Sequence, residues 1–499
     1  METTLPADNW DIIIIGSGIG GLTAANLLAY RGKKVLICES HAIPGGAAHS
    51  FTRQGFHFDS GPSFYCGLTN QTPNLNPLTQ VLELVGESLE VVKYDPLGYY
   101  HFPEAKLPIY SNLAQYRDAI ASLINPQAAQ EFAAFEKPLL NLYDALKNIP
   151  AIALRSDWKL IPTLIQNYFP ALIQLLPQLP LINSSVGAIM DKYVQNPFLR
   201  RLIDIECFLL SGLPASGTIA PEFAFMLGER NRVGVEYPLG SSGAIINALV
   251  RGFEKHGGNL RLNAHVQQIL VKNNQVTGIQ LKNGEILNAP IVISNATIWD
   301  TYHHLLNPDD LPPTHRQEAL QTPAVESFMH LHLGIKSEGL DNLPGHHVVI
   351  HDSQKLITTP GNTCMISIPS VWDANLAPPN HHVIHAYTLE PYQGWTKDAN
   401  YPTRKQAKAE TLYQAVEKVI PDVRQRLALN LIGTPLTHAR YLRRYQGTYG
   451  PAIAAGEGMF PSCHTPITGL YRVGDSTTPG IGVPAVAASG ILCANTLQD

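Results

Sequence analysis

Four consecutive isoleucines, Ile12 to Ile15, run directly into Gly16-Ser17-Gly18-Ile19-Gly20-Gly21, and this junction leaves the chain little choice of fold. A run so apolar and β-branched reads as a strand buried on both faces. Gly16, Gly18 and Gly21 occupy the positions of a G-x-G-x-x-G turn, Leu22 to Arg31 reads as the following helix, and Val35 to Glu39 as the next strand. That spacing describes a βαβ unit built to bind a dinucleotide. Gly16 permits the tight turn out of the strand. Gly18 brings a pyrophosphate close to the backbone at the helix N-terminus, and Gly21 with Ala25 lets the helix lie close on the sheet. Glu39 is placed to accept a hydrogen bond from a ribose hydroxyl, a role that a purely structural turn does not call for.

The 499 residues, 45% of them apolar, have room for two domains or one large discontinuous one. The net charge is −5 and no basic stripe is present, which argues against nucleic acid as a partner. The six cysteines lie far apart with no C-x-x-C pair, so they read as free thiols in a reducing compartment. No cationic leader precedes Ile12, and no unbroken apolar stretch reaches spanning length. Leu160 to Met190 carries no charge, but Pro162, Pro170, Pro177 and Pro180 interrupt it. Two readings stay open there. One is a set of short helices dipping into one membrane leaflet, anchored by Trp158, Lys159 and Tyr168; the other is a buried helical cap over a cavity. The first predicts a peripheral protein on the cytoplasmic side of a membrane, and both suit an apolar substrate.

Along the chain, residues 1–90 hold the nucleotide unit, 91–230 form a region whose pattern becomes helical from about 111, and 231–300 return to a glycine-rich turn, an amphipathic helix and short strands. Strands and helices mix over 301–440, and 441–499 end in a second glycine-rich turn with a small-residue helix, Ala485 to Leu497. Three glycine-rich elements beyond the first move the expected cofactor from NAD to FAD. They are Pro44-Gly45-Gly46 with Gly61-Pro62, Gly240 to Gly243, and Gly474-Asp475 with Gly482-Val483. Asp475 is placed for a ribityl or phosphate-side hydroxyl. The helix after Pro484 offers N–H groups and positive potential to a flavin ring.

With Phe58-Asp59-Ser60-Gly61-Pro62, Tyr237-Pro238-Leu239-Gly240, Ser294-Asn295-Ala296 and Pro479-Gly480-Ile481-Gly482-Val483-Pro484 added, the chain resembles the phytoene desaturase and carotenoid isomerase group of flavoproteins, within the amine-oxidase-type FAD superfamily. The resemblance implies an α/β fold: a Rossmann-like FAD-binding domain with an inserted mixed α+β substrate domain built from 91–230 and 301–440. It implies FAD held by Gly16, Gly18, Ile19, Gly20 and Gly21, by Glu39 and Ser40, and by Gly45, Gly46 and Ala47. The backbone at Val266 would contact adenine, and Asn295, Gly474, Asp475, Gly482 and Val483 would complete the site. It also implies a long apolar tunnel for an isoprenoid polyene and attachment to a membrane surface. Desaturases of the group usually carry Arg where this chain has Ala47. Ala47-Ala48-His49-Ser50 is nearer the isomerase and retinol-saturase branches, whereas Gly482-Val483-Pro484 is nearer the desaturases. Cis/trans isomerisation of a poly-cis carotene is the favoured activity, with desaturation or saturation as alternatives.

The flavin would perform the redox step. Glu236, His49, His57 and Asp59 are the candidates for an acid or base beside it. For each of the four a structural role is the stronger reading: Asp59 bracing its own Ser-Gly-Pro turn, Glu236 capping the next turn, the histidines packing. His330 and His332 would share one strand face, a metal-compatible spacing, but no third ligand is evident in the sequence and no metal is expected. Two readings of other classes remain. A flavin amine oxidase shares the fold, but Thr477 to Val486 lacks aromatic residues to cage an amine. A prenyl-group carrier of the Rab GDP-dissociation-inhibitor kind would not need the complete FAD motifs.

Overall fold

The computed structural model describes residues 9–69 and 73–498. Five strands, β1 (Ile12–Ile15), β2 (Val35–Cys38), β3 (Asn259–Arg261), β4 (Ile291–Ser294) and β5 (Leu470–Arg472), form a parallel sheet in the order β5-β4-β1-β2-β3. The isoleucine strand lies at the centre, and its side chains divide by parity. Ile12 and Ile14 pack among α1 (Ile19–Tyr30), α2 (Ser242–Lys255) and α3 (Val483–Thr496). Ile13 and Ile15 pack against a three-stranded antiparallel sheet, Val266–Lys272, Gln275–Leu281 and Ile286–Asn288. Burial on both faces is why the run shows no polar alternation.

Strands β3, β4 and β5 come from the middle and the end of the chain, so this layer is assembled from distant segments. Its tightest point is where α1 meets α3. A Cβ on Gly490 would stand 2.5 Å from the carbonyl oxygen of Gly20, and a Cβ on Gly20 would stand 2.9 Å from the amide nitrogen of Gly474. Only glycine allows the two helices and the final turn to approach so closely.

A second layer is a seven-stranded sheet whose strands run, in order, Leu427–Gly433, Ser327–Lys336, His381–Glu390, Thr363–Ser367, His346–Ile350, Gly98–His101 and Lys106–Ile109. All pairs are antiparallel except His346–Ile350 with Gly98–His101. Helices between residues 113 and 233 share one core with this sheet, and the helix Tyr401–Glu417 packs within the core on its other face. The helical pattern read from about residue 111 begins in the structure at Leu113, and strands precede it. Val91–Tyr94 pairs with Val235–Pro238, and Gly98–His101 and Lys106–Ile109 join the large sheet before the first helix begins at Leu113. Aromatic and β-branched residues at Val91, Val92, Tyr99 and Tyr100 favour the extended form there.

The first part of the uncharged segment, Leu160 to Leu179, lies on the outside of the body, whereas Val186, Ile189 and Met190 at its end join the helical core. In the helix Leu160–Leu175 only Ala171 is buried. Ile161, Ile165, Phe169, Ile173, Leu176 and Leu179 are each half exposed or more, and Trp158 is 76% exposed. Among the described residues no helix is long and apolar enough to cross a membrane.

The contact between α1 and α3 gives a direct expectation. Gly490→Val drives a side chain into backbone that cannot swing aside, and costs about 2–3 kcal/mol of stability. Urea unfolding of the variant reads this as a lowered midpoint at unchanged slope.

Candidate functional site

Between the two layers lies a cavity of about 730 Å³, within the usual size range of cofactor sites. The ends of β1 and β2 bring Gly16, Gly18 and Ile19 with Glu39 and Ser40 to its wall; the next turn adds Gly45, Gly46, Ala47 and His49. Val266 and Asn295 line it from the small sheet and the end of β4, and Gly474, Asp475, Gly482 and Val483 close it from the C-terminal side. Gly20 and Gly21 stand behind the wall. A Cβ on Gly21 would meet the Gly16 carbonyl at 2.5 Å, so both serve packing of the turn.

Some helix starts of the molecule are closed by a side chain and others, such as those after Ile219 and Asn400, are open; two open ones meet at this cavity. Asn76, Asn112, Asn125, Ser185 and Asn196 each begin a helix elsewhere with a side chain that accepts a first-turn N–H. The two helices that begin at the cavity, α1 at Gly18 and α3 at Gly482, have no side-chain cap. Their first N–H groups and the positive ends of their dipoles are left for a ligand.

Glu39 is held ready rather than free. One carboxylate oxygen accepts from the Ser17 N–H at 2.9 Å and the Ser17 hydroxyl at 2.6 Å; the other accepts from the His41 N–H at 2.8 Å. The Asn295 amide wedges between the two halves of the site. A Cβ on Gly18 would lie 2.6 Å from its nitrogen, and one on Gly474 2.8 Å from its oxygen. Asp475 is paired with Arg444, which also donates to the Thr448 carbonyl at 2.8 Å. Uncapped helix starts, an acid at the end of β2 and a side-chain-free floor together fit an FAD whose pyrophosphate, ribose and flavin portions need these contacts.

The four acid–base candidates separate. Asp59 lies away from the cavity wall, accepting from the Ser242 N–H at 2.8 Å, the Ser242 hydroxyl at 2.6 Å and the Tyr237 hydroxyl at 2.7 Å. Burial pushes its carboxyl up against these bonds. Glu236 is fully buried and accepts from the Leu68 N–H at 2.6 Å and the Thr69 hydroxyl at 2.5 Å. His57 is exposed, beside the Thr52 hydroxyl at 2.9 Å. His49 alone lines the cavity, with Nδ1 2.8 Å from the Gly46 carbonyl, and burial lowers its pKa.

The far end of the cavity was not visible in the sequence. The seven-stranded sheet turns Phe328, His330, His385 and Tyr387 into it, the helix Pro435–Leu442 adds His438, and Tyr449 follows. His330 and His332 do share a face. The third imidazole comes from the neighbouring strand, where the register sets His385 opposite His332. One ring nitrogen from each of the three lies within 4.8 Å of the others. Nδ1 of His330 and Nε2 of His385 are 2.9 Å apart, while Nε2 of His330, Nε2 of His332 and Nδ1 of His385 have no partner. Burial holds His330 and His385 well below the usual histidine range, His332 at about 3 and His438 at about 4. Only the alternation at 330 and 332 hinted at this face; pairing across some fifty residues supplied the rest.

Comparison with known proteins adds to this geometry. The family model described as flavin-containing amine oxidoreductase matches residues 19–498. The chain is 34% identical to a prolycopene isomerase of Daucus carota over 97% of its own length and 79% of that protein. It is 25% identical to a neurosporene-forming phytoene desaturase of Cereibacter sphaeroides over 100% of this chain and 97% of that one. Among solved structures, an oxidoreductase from Methanosarcina mazei aligns with a TM-score of 0.64 at 19% identity, covering 97% of this chain and 99% of that one.

The buried imidazoles set an acid limit on stability. His332, His346 and His347 sit at about 3 and His438 at about 4, all because burial disfavours the charged ring. Unfolding restores values near 6.5, so below that pH the unfolded chain binds more protons and stability falls with acid. Each such histidine costs about 1.4 kcal/mol per pH unit below ~6.5, until its folded value is reached. Urea midpoints at pH 7.5 and 5.5 measure the effect, and equal midpoints would contradict neutral burial.

Proposed function

The chain belongs to the flavin-containing amine oxidoreductase family, in the group that holds the prolycopene isomerases and phytoene desaturases, and from that premise we propose that it is an FAD enzyme that isomerises a poly-cis carotene. The observation that carries the reading is the meeting of two uncapped helix starts and the anchored Glu39 at one cavity whose other end is aromatic. Isomerisation is favoured over desaturation on two grounds: relatives named prolycopene isomerase are 34% identical and relatives named phytoene desaturase 25–26%, and Ala47 stands where the desaturase pattern has Arg.

Each part of the site has a task in this reading. The free N–H groups at the start of α1 hold the pyrophosphate, and Glu39 takes the adenosine ribose. The start of α3 would offer its N–H groups and positive potential to the flavin, favouring negative charge on the reduced form. When bound, FAD supplies reversible electron donation to the conjugated chain, which lowers double-bond order without net oxidation. Phe328, Tyr387 and Tyr449 form a dry wall that excludes water from the polyene. The exposed apolar side chains between Trp158 and Leu179 lie in the headgroup region of a membrane, from which the polyene enters.

Expression in cells that accumulate poly-cis lycopene tests the activity: all-trans lycopene should appear. Protein with bound flavin that leaves poly-cis lycopene, phytoene and retinol all unchanged would remove this substrate class. Glu39→Gln turns an amide N–H toward the Ser17 and His41 donors, and should weaken FAD binding about 10- to 100-fold in a flavin titration. Paired Ile165→Glu and Phe169→Glu changes should abolish co-sedimentation with lipid vesicles while leaving the unfolding midpoint within about 0.5 kcal/mol of the parent's stability.

A further inference from the structure

One interior acid has no task in the isomerisation above. Glu222 lies in the first turn of the helix Ala220–Val233. An acid at that position ordinarily answers the helix dipole as a solvated anion. This carboxyl is instead enclosed, and burial pushes it up to about 8, so it is protonated at neutral pH. Oε1 is shut off from solvent and has no hydrogen-bond partner. Among the described residues no hydrogen bond and no opposite charge holds the carboxyl down. A polar group left unpaired in an apolar interior costs free energy, and native structures rarely keep one without a partner.

The surroundings of Glu222 show where a partner would come from. The residue keeps part of its surface accessible. So do Phe225 and Met226 one turn along the helix, Leu210 on the neighbouring helix Pro197–Ser211, and Tyr449 and Ala452, although these five pack against the helical core. Deep residues with accessible surface line an internal space. That space borders the cofactor cavity through Tyr449, which lines the cavity. Burial and, after it, the Glu222 carboxyl push the Tyr449 phenol up to about 12, so the two groups are close. A Cβ on Gly212 would stand 3.7 Å from the Tyr449 ring, which sets that ring against the end of Pro197–Ser211. The helix that carries Glu222 also packs on Leu179–Ile182, where the exposed apolar segment returns to the body. Glu222 therefore stands between the apolar outer segment and the cavity.

The two carboxyl oxygens are not equivalent. Oε1 is closed in, while Oε2 also lacks a hydrogen bond but is not shut off. An interior tolerates an unpaired carbonyl oxygen more readily than an unpaired donor. The proton accordingly belongs on Oε2, and the atom open to a ligand is a donor that calls for an acceptor. A hydrocarbon offers none. A hydroxyl accepts but brings a hydrogen of its own to place. A carbonyl oxygen only accepts and leaves nothing over.

We propose that Glu222 is a hydrogen-bond donor in the passage beyond Tyr449, and that the polyene this enzyme prefers carries a ketone or aldehyde oxygen at the end that reaches it. The proposal rests on the polyene reading above and narrows its substrate. No bond is made or broken at Glu222; the residue selects and sets the position of the chain along the cavity. A site that pairs a substrate oxygen discriminates against the analogue without it more sharply than an apolar pocket discriminates by size, because the analogue leaves the buried donor unpaired. The hydrocarbon remains a weaker ligand.

The test uses the FAD-loaded protein in detergent micelles and three probes of equal length: an apocarotenal, the alcohol obtained from it by reduction, and the hydrocarbon that lacks the oxygen. Wild type should bind the apocarotenal about 10- to 100-fold more tightly than the hydrocarbon, with the alcohol between them. The hydrogen bond should also move the visible band of the bound aldehyde to longer wavelength. Glu222→Leu fills the same space without the acid, and should bind the three probes alike with the band unshifted. Glu222→Gln keeps an N–H donor and should restore the shifted band, which a packing role would not require. Flavin content and unfolding midpoints confirm that both variants are folded. Infrared difference spectra of wild type against Glu222→Gln at neutral pH should show a protonated carboxyl whose band moves with the apocarotenal and not with the hydrocarbon. Equal affinities for the three probes in wild type, a shifted band retained in Glu222→Leu, or an ionised carboxyl at neutral pH would each overturn the proposal and leave the polyene reading standing. Failure of all three probes to bind, with the protonated carboxyl in place, would overturn the polyene reading and the proposal with it.

Discussion

The site depends on how closely two helices from opposite ends of the chain can lie. Helix α1 follows the first strand and α3 closes the last segment, yet a Cβ on Gly490 would come within 2.5 Å of the Gly20 carbonyl. This proximity sets both helix starts at one cavity, where their unpaired N–H groups add their partial charges. The Asn295 amide fills the space between Gly18 and Gly474, and so fixes the spacing of the two turns. The seven-stranded sheet then needs only to cover the open side.

The sequence was most legible where one backbone path serves one purpose. The isoleucine strand, the first glycine turn and Glu39 lie within thirty residues, and their spacing alone states the geometry. The C-terminal turn was legible because Gly474, Gly482 and Pro484 punctuate it sharply. The layer that flanks β1 on its second face was less so, because short antiparallel strands such as Ile286–Asn288 carry little periodicity. The strands at 91–109 were hidden by the helices that follow them. Asp59 and Glu236 drew attention as acids in glycine-rich surroundings, and their role is to tie Ser242, Tyr237 and Thr69 together.

The imidazole face shows what a sequence reading leaves out in physical terms. His330 and His332 mark one face of a strand by alternation, but His385 joins them only through the register of a partner strand, and His438 only through a helix packed across it. Such a group is a product of tertiary structure. Its cost is correspondingly global: neutral rings in a dry interior tie stability to pH, although none of them lies in the parallel sheet that carries the fold.

The order of the parallel sheet has a consequence for biosynthesis. Strand β4 pairs with β5, and α1 rests on α3, but β5 (Leu470–Arg472) and α3 (Val483–Thr496) are made long after β4 (Ile291–Ser294) and α1 (Ile19–Tyr30). While the ribosome still holds those residues, the nascent chain carries an unpaired β-edge and one bare side of α1. Such surfaces invite aggregation until they are covered. The cradle for the cofactor is therefore complete only once β5 and α3 have been made and have docked on β4 and α1.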